Sequence, residues 1–353
     1  MVSFIEVIDS EKEDQEMEAI IYKIANYPAD YTLQGLYDKD KEEEILIPSF
    51  QRKFVWTLSQ SSRLIESFLL GLPVPSIFLY KEKESQKLLV IDGQQRLKTI
   101  FGYFKNMFPD IKKPFYLKGV NRKWEGKPFL DLNTPDKRRL KDSVLRAVIV
   151  EQLDPKDNTS IFHIFQRLNT GGTVLSPQEI RNCIYQGKFN DLLKQLNCNK
   201  DWRKIICLPV SNKRMRDMEL ILRFLGLYCS YKGSYEEYKA PMKDFLSNFM
   251  AKYRNDEVKI REFKKIFEKT VFSIARNLSP RPFVIKTGLQ SAVFDSTMIA
   301  FALNLNNMPQ DIKARHQKLL KDKEYEDVVY KFTTVEKFVK QRIDMAITKL
   351  FEQ

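Results

Sequence analysis

Histidine is almost missing from this chain: two occur in 353 residues, His163 and His316. They stand far apart in different settings, so a catalytic or metal-binding histidine cluster is not expected. His163 falls within the apolar stretch 161–168, where a satisfied structural histidine is the expected role. Cysteine is scarce as well. Cys183, Cys198, Cys207 and Cys229 form no Cys-x-x-Cys pair and have no histidine beside them. They read as small buried thiols in a reducing compartment, not as a zinc site. No signal-type segment is evident, and no apolar run approaches the roughly 20 residues that span a bilayer. A soluble, cytoplasmic protein with no membrane partner is expected.

The chain has enough apolar material to fold. Hydrophobic residues make up 43% and aromatics 12%, well outside the range of disordered chains. A length of 353 residues accommodates two domains. The formal charge of +13 favours a polyanionic partner such as DNA, or small anionic ligands. Solvated helix faces nevertheless account for most single lysines of such a chain. The charge is uneven: residues 1–44 carry thirteen acids against four bases, and the remainder is strongly basic. Residues 11–24 have helical propensity, and an acidic helical leader is expected over 1–44.

Residues 44–48 read as a short strand that leads into the aromatic turn Phe50-Gln51-Arg52-Lys53-Phe54-Val55-Trp56. Leu64, Ile65, Phe68, Leu69 and Leu72 then form a helical stripe, with Ser59 as cap and Gly71 as stop. Residues 75–80 and 88–91 read as strands joined by a charged hairpin. Residues 109–142 are read as an irregular excursion before a strand at 146–151. A helix at 160–168 ends on Asn169-Thr170-Gly171-Gly172. Ser176-Pro177-Gln178-Glu179 has the order of a capping box. Periodicity from Phe189 onward is helical, notably over 218–228, 258–272 and 335–351. The fold class is therefore α+β: a mixed N-terminal domain over 1–188, then an all-helical domain over 189–353.

The most informative stretch is Leu88-Leu89-Val90-Ile91-Asp92-Gly93-Gln94-Gln95-Arg96-Leu97, where a buried strand passes through an acid and a glycine into a helix. A helix start offers unpaired N–H groups and partial positive charge, and a glycine lets a phosphate approach the backbone closely. Arg96 adds a bidentate donor. Asp92 has two readings, an N-cap of the helix or a ligand for a divalent cation.

Four ordered motifs together resemble one family. They are Ile47-Pro48-Ser49-Phe50-Gln51-Arg52-Lys53-Phe54-Val55-Trp56; Leu64-Ile65-Glu66-Ser67 with Gly71-Leu72-Pro73-Val74-Pro75; Ile91-Asp92-Gly93-Gln94-Gln95-Arg96-Leu97; and Phe165-Gln166-Arg167-Leu168-Asn169-Thr170-Gly171-Gly172 with Leu175-Ser176 and Glu179-Ile180-Arg181-Asn182. The first half of the chain resembles the N-terminal domain of GmrSD-type modification-dependent restriction enzymes and SspE-like phage-defence proteins. The resemblance implies a ParB/sulfiredoxin-like core that binds and hydrolyses nucleoside triphosphates, coupled to sensing of foreign or modified DNA, and phosphoryl transfer of that kind calls for magnesium. Under it, Asp92, Gln94, Gln95 and Arg96 are the catalytic candidates. Gln51, Arg52, Gly93, Asn169, Gly171 and Gly172 are the nucleotide-binding candidates, and Asp92 is the candidate for magnesium.

The residues leave bland roles open beside these. Phe50, Phe54 and Trp56 can be core anchors, and Asn169-Thr170-Gly171-Gly172 a helix cap and turn. Arg214, Arg216, Asp217 and Arg223 can form structural ion pairs. Family members that cut DNA carry a histidine-rich nuclease domain, which two isolated histidines do not match. The chain is expected to be the sensor half, with any nuclease encoded separately. The alternative is a non-catalytic DNA-binding adaptor or regulatory partner, and either form is compatible with a homo-oligomer.

Overall fold

The computed structural model describes residues 7–8, 23–47, 54–82, 85–109, 111, 113–154, 164, 176–212, 214–278, 280–285, 288–330 and 333–352. The chain divides into two compact units, Ile20–Leu175 and Met1–Ala19 with Ser176–Gln353. Strand β1 (Val7–Ile8) belongs to the latter. The former holds β2 (Lys23–Thr32), α1 (Leu33–Lys41), β3 (Ile45–Leu46), α2 (Leu58–Leu70), β4 (Ile77–Lys81), β5 (Leu88–Asp92), α3 (Gln94–Phe104), α4 (Thr134–Asp142) and β6 (Val144–Asp154). The architecture is α+β.

The five-stranded sheet runs in the order β2-β6-β4-β5-β3. β2 and β6 are antiparallel, β6 and β4 parallel, β4 and β5 antiparallel, β5 and β3 parallel. The hairpin read at 75–91 is thus present, and the strand read at 146–151 is the middle of a longer one. Against the sheet packs a core that includes Ile65, Ile77, Val90, Leu97, Ile100, Leu140 and Ala147, each 0% exposed.

Three expectations for this unit are corrected. Residues 23–32 are not part of a helical leader but form the outer strand β2, paired with β6 from Lys23–Asp154 to Thr32–Val144. Pro28 lies in this segment, where it would break a helix but is tolerated in an edge strand. Thr57, not Ser59, caps α2: its Oγ1 accepts from Gln60 N at 3.3 Å, and Gln60 Oε1 accepts from Thr57 N at 2.9 Å. Gly71 ends that helix in the left-handed region, as read. The excursion at 109–142 is not irregular throughout, because α4 begins at an Asn133 cap with a proline in its first turn. Asp136 of α4 ties the preceding loop down, accepting from Trp124 Nε1 at 2.9 Å and Lys123 Nζ at 2.9 Å. Burial opposes the charge on Asp136, but those donors outweigh it and hold its carboxyl below the usual range.

β5 enters α3 through Gly93, at φ 98°. A Cβ there would lie 2.2 Å from Ile77 Cγ2 and 2.8 Å from Ile77 Cβ. Glycine is therefore required twice, by the left-handed backbone and by the neighbouring strand.

The helical unit contains α5 (Pro177–Ile184), α6 (Lys188–Asn197), α7 (Lys200–Ile205), α8 (Arg216–Tyr231), α9 (Met242–Lys252), α10 (Glu257–Asn277), β7 (Leu289–Gln290), α11 (Ser291–Leu303), α12 (Ile312–Leu319), α13 (Lys323–Tyr330) and α14 (Glu336–Phe351). β7 pairs in parallel with β1. α5 starts with the capping box read from Ser176 and Glu179. The boundary read at 188 would leave α5 with the sheet, yet it packs in the helical unit against α8 and α9. Its buried Arg181 accounts for this, since Nη1 donates to Glu219 on α8 at 2.8 Å.

α11 is apolar nearly all round and buried along its length, as a helix without a solvent face must be. Its one carboxylate, Asp295, accepts from Arg223 Nη2 at 2.8 Å and Arg342 Nη2 at 3.0 Å. Asp217 on α8 accepts from Arg203 at 2.7 Å and Asn197 at 3.1 Å. Asp217 and Arg223 of this region are thus structural, with partners drawn from other helices. Among the described residues no helix is long and apolar enough to cross a membrane.

His316 on α12 is buried, its Nε2 has no hydrogen-bond partner among the described residues, and burial lowers its pKa to about 4 despite the Pro282 backbone bond. The unfolded chain would bind a proton near pH 6.5, so between pH 6.5 and 4 it holds more protons than the folded chain, and acid favours unfolding. His316→Gln should remove this contribution. Denaturant titrations should show the parent losing about 3 kcal/mol more than the variant between pH 7.5 and 4; equal losses would contradict the assignment. Gly93→Ala should cost about 2–4 kcal/mol, from left-handed strain and overpacking. The penalty should shrink in an Ile77→Ala background, measured as a double-mutant cycle.

Candidate functional site

The turn at the carboxyl end of β5 is built by strand pairing. β5 lies between β4 and β3, which brings Asp92 opposite Phe78 and fixes where the chain leaves the sheet. Gly93 then serves as the N-cap of α3, and no side chain caps the helix. Leu97 N donates to Gly93 O at 3.0 Å, the first hydrogen bond of the helix. The backbone N–H groups of Gln95 and Arg96 donate to no atom of the described residues. Among the described residues they point unpaired from the positive end of the helix dipole.

Asp92 is therefore not the N-cap. It lies one residue too early and pairs instead with Arg96, whose Nη2 donates to Asp92 Oδ2 at 2.8 Å. Arg96 Nη1 donates to the carbonyl of Pro75 at 3.0 Å. Pro73 and Pro75 hold off the start of β4 until Ile77, which leaves that carbonyl outside the ladder and open to the guanidinium. The Arg96 side chain is 14% exposed and that of Asp92 53%. The turn is thus partly open and not sealed in apolar packing. Asp92 Oδ1 has no partner among the described residues.

The two glutamines divide. Gln94 is buried at 7% exposure and faces the interior. Gln95 Oε1 accepts from the backbone N–H of Val55 at 3.0 Å, which draws the entrance of α2 against the turn. The first and third motifs therefore meet through Val55 and Gln95. Gln51 and Arg52, three to four residues earlier in the chain, lie outside the described residues, as do Asn169, Gly171, Gly172 and His163. The aromatics in reach are anchors: Phe54 meets Phe108 edge-on at 5.3 Å, and Trp56 packs partly buried on the core.

The holding roles of Pro75, Ile77 and Val55 were not legible in the sequence. Pro75 and Val55 act through backbone atoms, which residue type does not report. Cys183 and Cys229 are buried, but Cys198 is exposed and Cys207 half-buried, so the reading of all four as buried holds for two. Among the described residues no group of three or more His, Cys, Asp or Glu could hold a metal ion. Chemically, the turn offers two backbone donors and a guanidinium to an anion, with a carboxylate at its rim.

A comparison with curated proteins finds no match to this chain. The family model described as the GmrSD restriction endonuclease, N-terminal domain, matches residues 33–186, from the first residue of α1 to just past α5, so that segment of the chain is similar to a GmrSD-type N-terminal domain.

Proposed function

We propose that this chain is the nucleoside-triphosphate-binding sensor component of a restriction or phage-defence system, with DNA as the target sensed. The family match over residues 33–186 supports the restriction context. The observation that carries the nucleotide reading is the start of α3, where the backbone N–H groups of Gln95 and Arg96 have no acceptor among the described residues, beside an arginine and behind a left-handed glycine. Such a turn receives phosphate oxygens. Gly93 and the N–H groups after it bind, Arg96 neutralises charge, and Gln95 holds the neighbouring loop in place. Gln51, Arg52, Asn169, Gly171 and Gly172 complete the proposed pocket by family position alone.

Magnesium fits this donor set in one way. It is commonly held by one or two carboxylates together with substrate phosphates, and Asp92 Oδ1, without a partner among the described residues, provides one such oxygen. When bound it would offset phosphate charge. Hydrolysis then requires Asp92 to release Arg96, freeing the guanidinium for the phosphates and the carboxylate for the cation.

One observation favours the second reading, a non-catalytic DNA-binding adaptor acting with a separately encoded nuclease. Arg96 is already satisfied by Asp92 and Pro75, an arrangement that also works as a strut. Purified protein given ATP or GTP with magnesium separates the two. Under the first reading it should bind nucleotide and release phosphate, with Arg96→Ala and Asp92→Asn each slowing release by about tenfold or more while thermal unfolding still shows a folded chain. Duplex binding that falls steeply with salt, with no nucleotide bound and no phosphate released, would establish the adaptor.

A further inference from the structure

One concavity of the helical unit is remote in sequence from the Asp92 turn and has no part in the function proposed above. It is a groove of about 810 Å³ between α10, the end of α8 and the segment 302–308 that follows α11. Its lining carries Lys232, Lys259, Lys265, Lys269 and Arg276 against a single carboxylate, Glu262. That carboxylate is spent on Lys259, whose Nζ lies 2.8 Å from it. The side chains of Lys265, Lys269 and Arg276 have no ion pair or hydrogen bond among the described residues.

The spacing of these groups is regular. Lys265, Lys269, Phe272 and Arg276 recur at intervals of four, three and four, which places them along one face of α10 over roughly 16 Å. Phe272 is 54% exposed in the middle of this cationic row. A large apolar ring left exposed among cations that have no partner among the described residues is not explained by packing, since the buried face of the same helix is carried by Phe263, Phe267, Val271 and Ile274. Across the groove, Asn306 and Asn307 are exposed and their amides both donate and accept.

We infer that this groove binds a single-stranded nucleic acid segment, with Lys265, Lys269 and Arg276 on its phosphates and Phe272 stacked on a base. Charge complementarity selects a polyanion, and the exposed ring selects one with accessible flat faces. A duplex hides those faces within its stack, and an acidic peptide has none. The residues do not read base identity by a fixed fork, so binding is expected to tolerate sequence.

Fluorescence anisotropy with a labelled 12-nucleotide oligothymidine tests the assignment on the full chain. Phe272→Ala should weaken binding about tenfold, with little change in thermal stability because the ring is exposed. Three phosphate contacts predict a loss of about 20-fold between 50 and 200 mM salt, and Lys269→Gln should lower the logarithmic salt slope by about 0.7. Arg96→Ala should leave this binding unchanged, which separates the groove from the nucleotide turn. The inference is overturned by absence of binding, by binding indifferent to Phe272→Ala and Lys269→Gln, or by equal competition from polyglutamate or from a duplex of the same length.

Discussion

The contact between Gly93 and Ile77 is the constraint on which the candidate site depends. With no Cβ at 93, the backbone lies flat against the neighbouring strand, and α3 starts at once in a left-handed step. That step places Arg96 one helical turn later, where it reaches Asp92 at the strand end and the Pro75 carbonyl before β4 together. Gln95, on the adjacent face, takes hold of Val55. Three segments distant in sequence are therefore ordered around one absent methyl group. A side chain at 93 would push α3 away from β4 and release all three.

Much of this was visible in the sequence, for identifiable reasons. The β4–β5 hairpin, α3 and the long helices of the second unit carry strong periodicity and clear stops, and they lie where periodicity put them. The Ser176 capping box is equally local, and so was legible. What failed was whatever depends on partners. β2 has no apolar alternation strong enough to declare a strand, and its identity comes from pairing with β6. α4 is short and highly charged, and is secured by Asp136 and Trp124. Asp92 was open between cap and ligand in sequence; geometry removes the cap, because the glycine and not the acid occupies the N-cap position.

The charged groups of the helical unit sort by burial. Asp295, Asp217 and Glu219 each collect arginine donors from other helices, and such groups can be buried only because they are paired. Their worth is geometric, since removing one partner would strand a charge in an apolar interior. This leaves the excess positive charge of the chain to groups outside such networks. Net charge alone could not say where that excess resides; the ion-pair geometry does, because it separates cations already committed to the fold from those on α10.

The rims of the sheet bear on how the protein behaves among copies of itself. On one rim β3 is two residues long, too short to template another strand. On the other, the ten-residue β2 contains Pro28, which has no N–H to give to an incoming chain. A sheet finished in this way resists lateral growth: extending it by a borrowed strand would meet a gap in the ladder on one side and almost no ladder on the other.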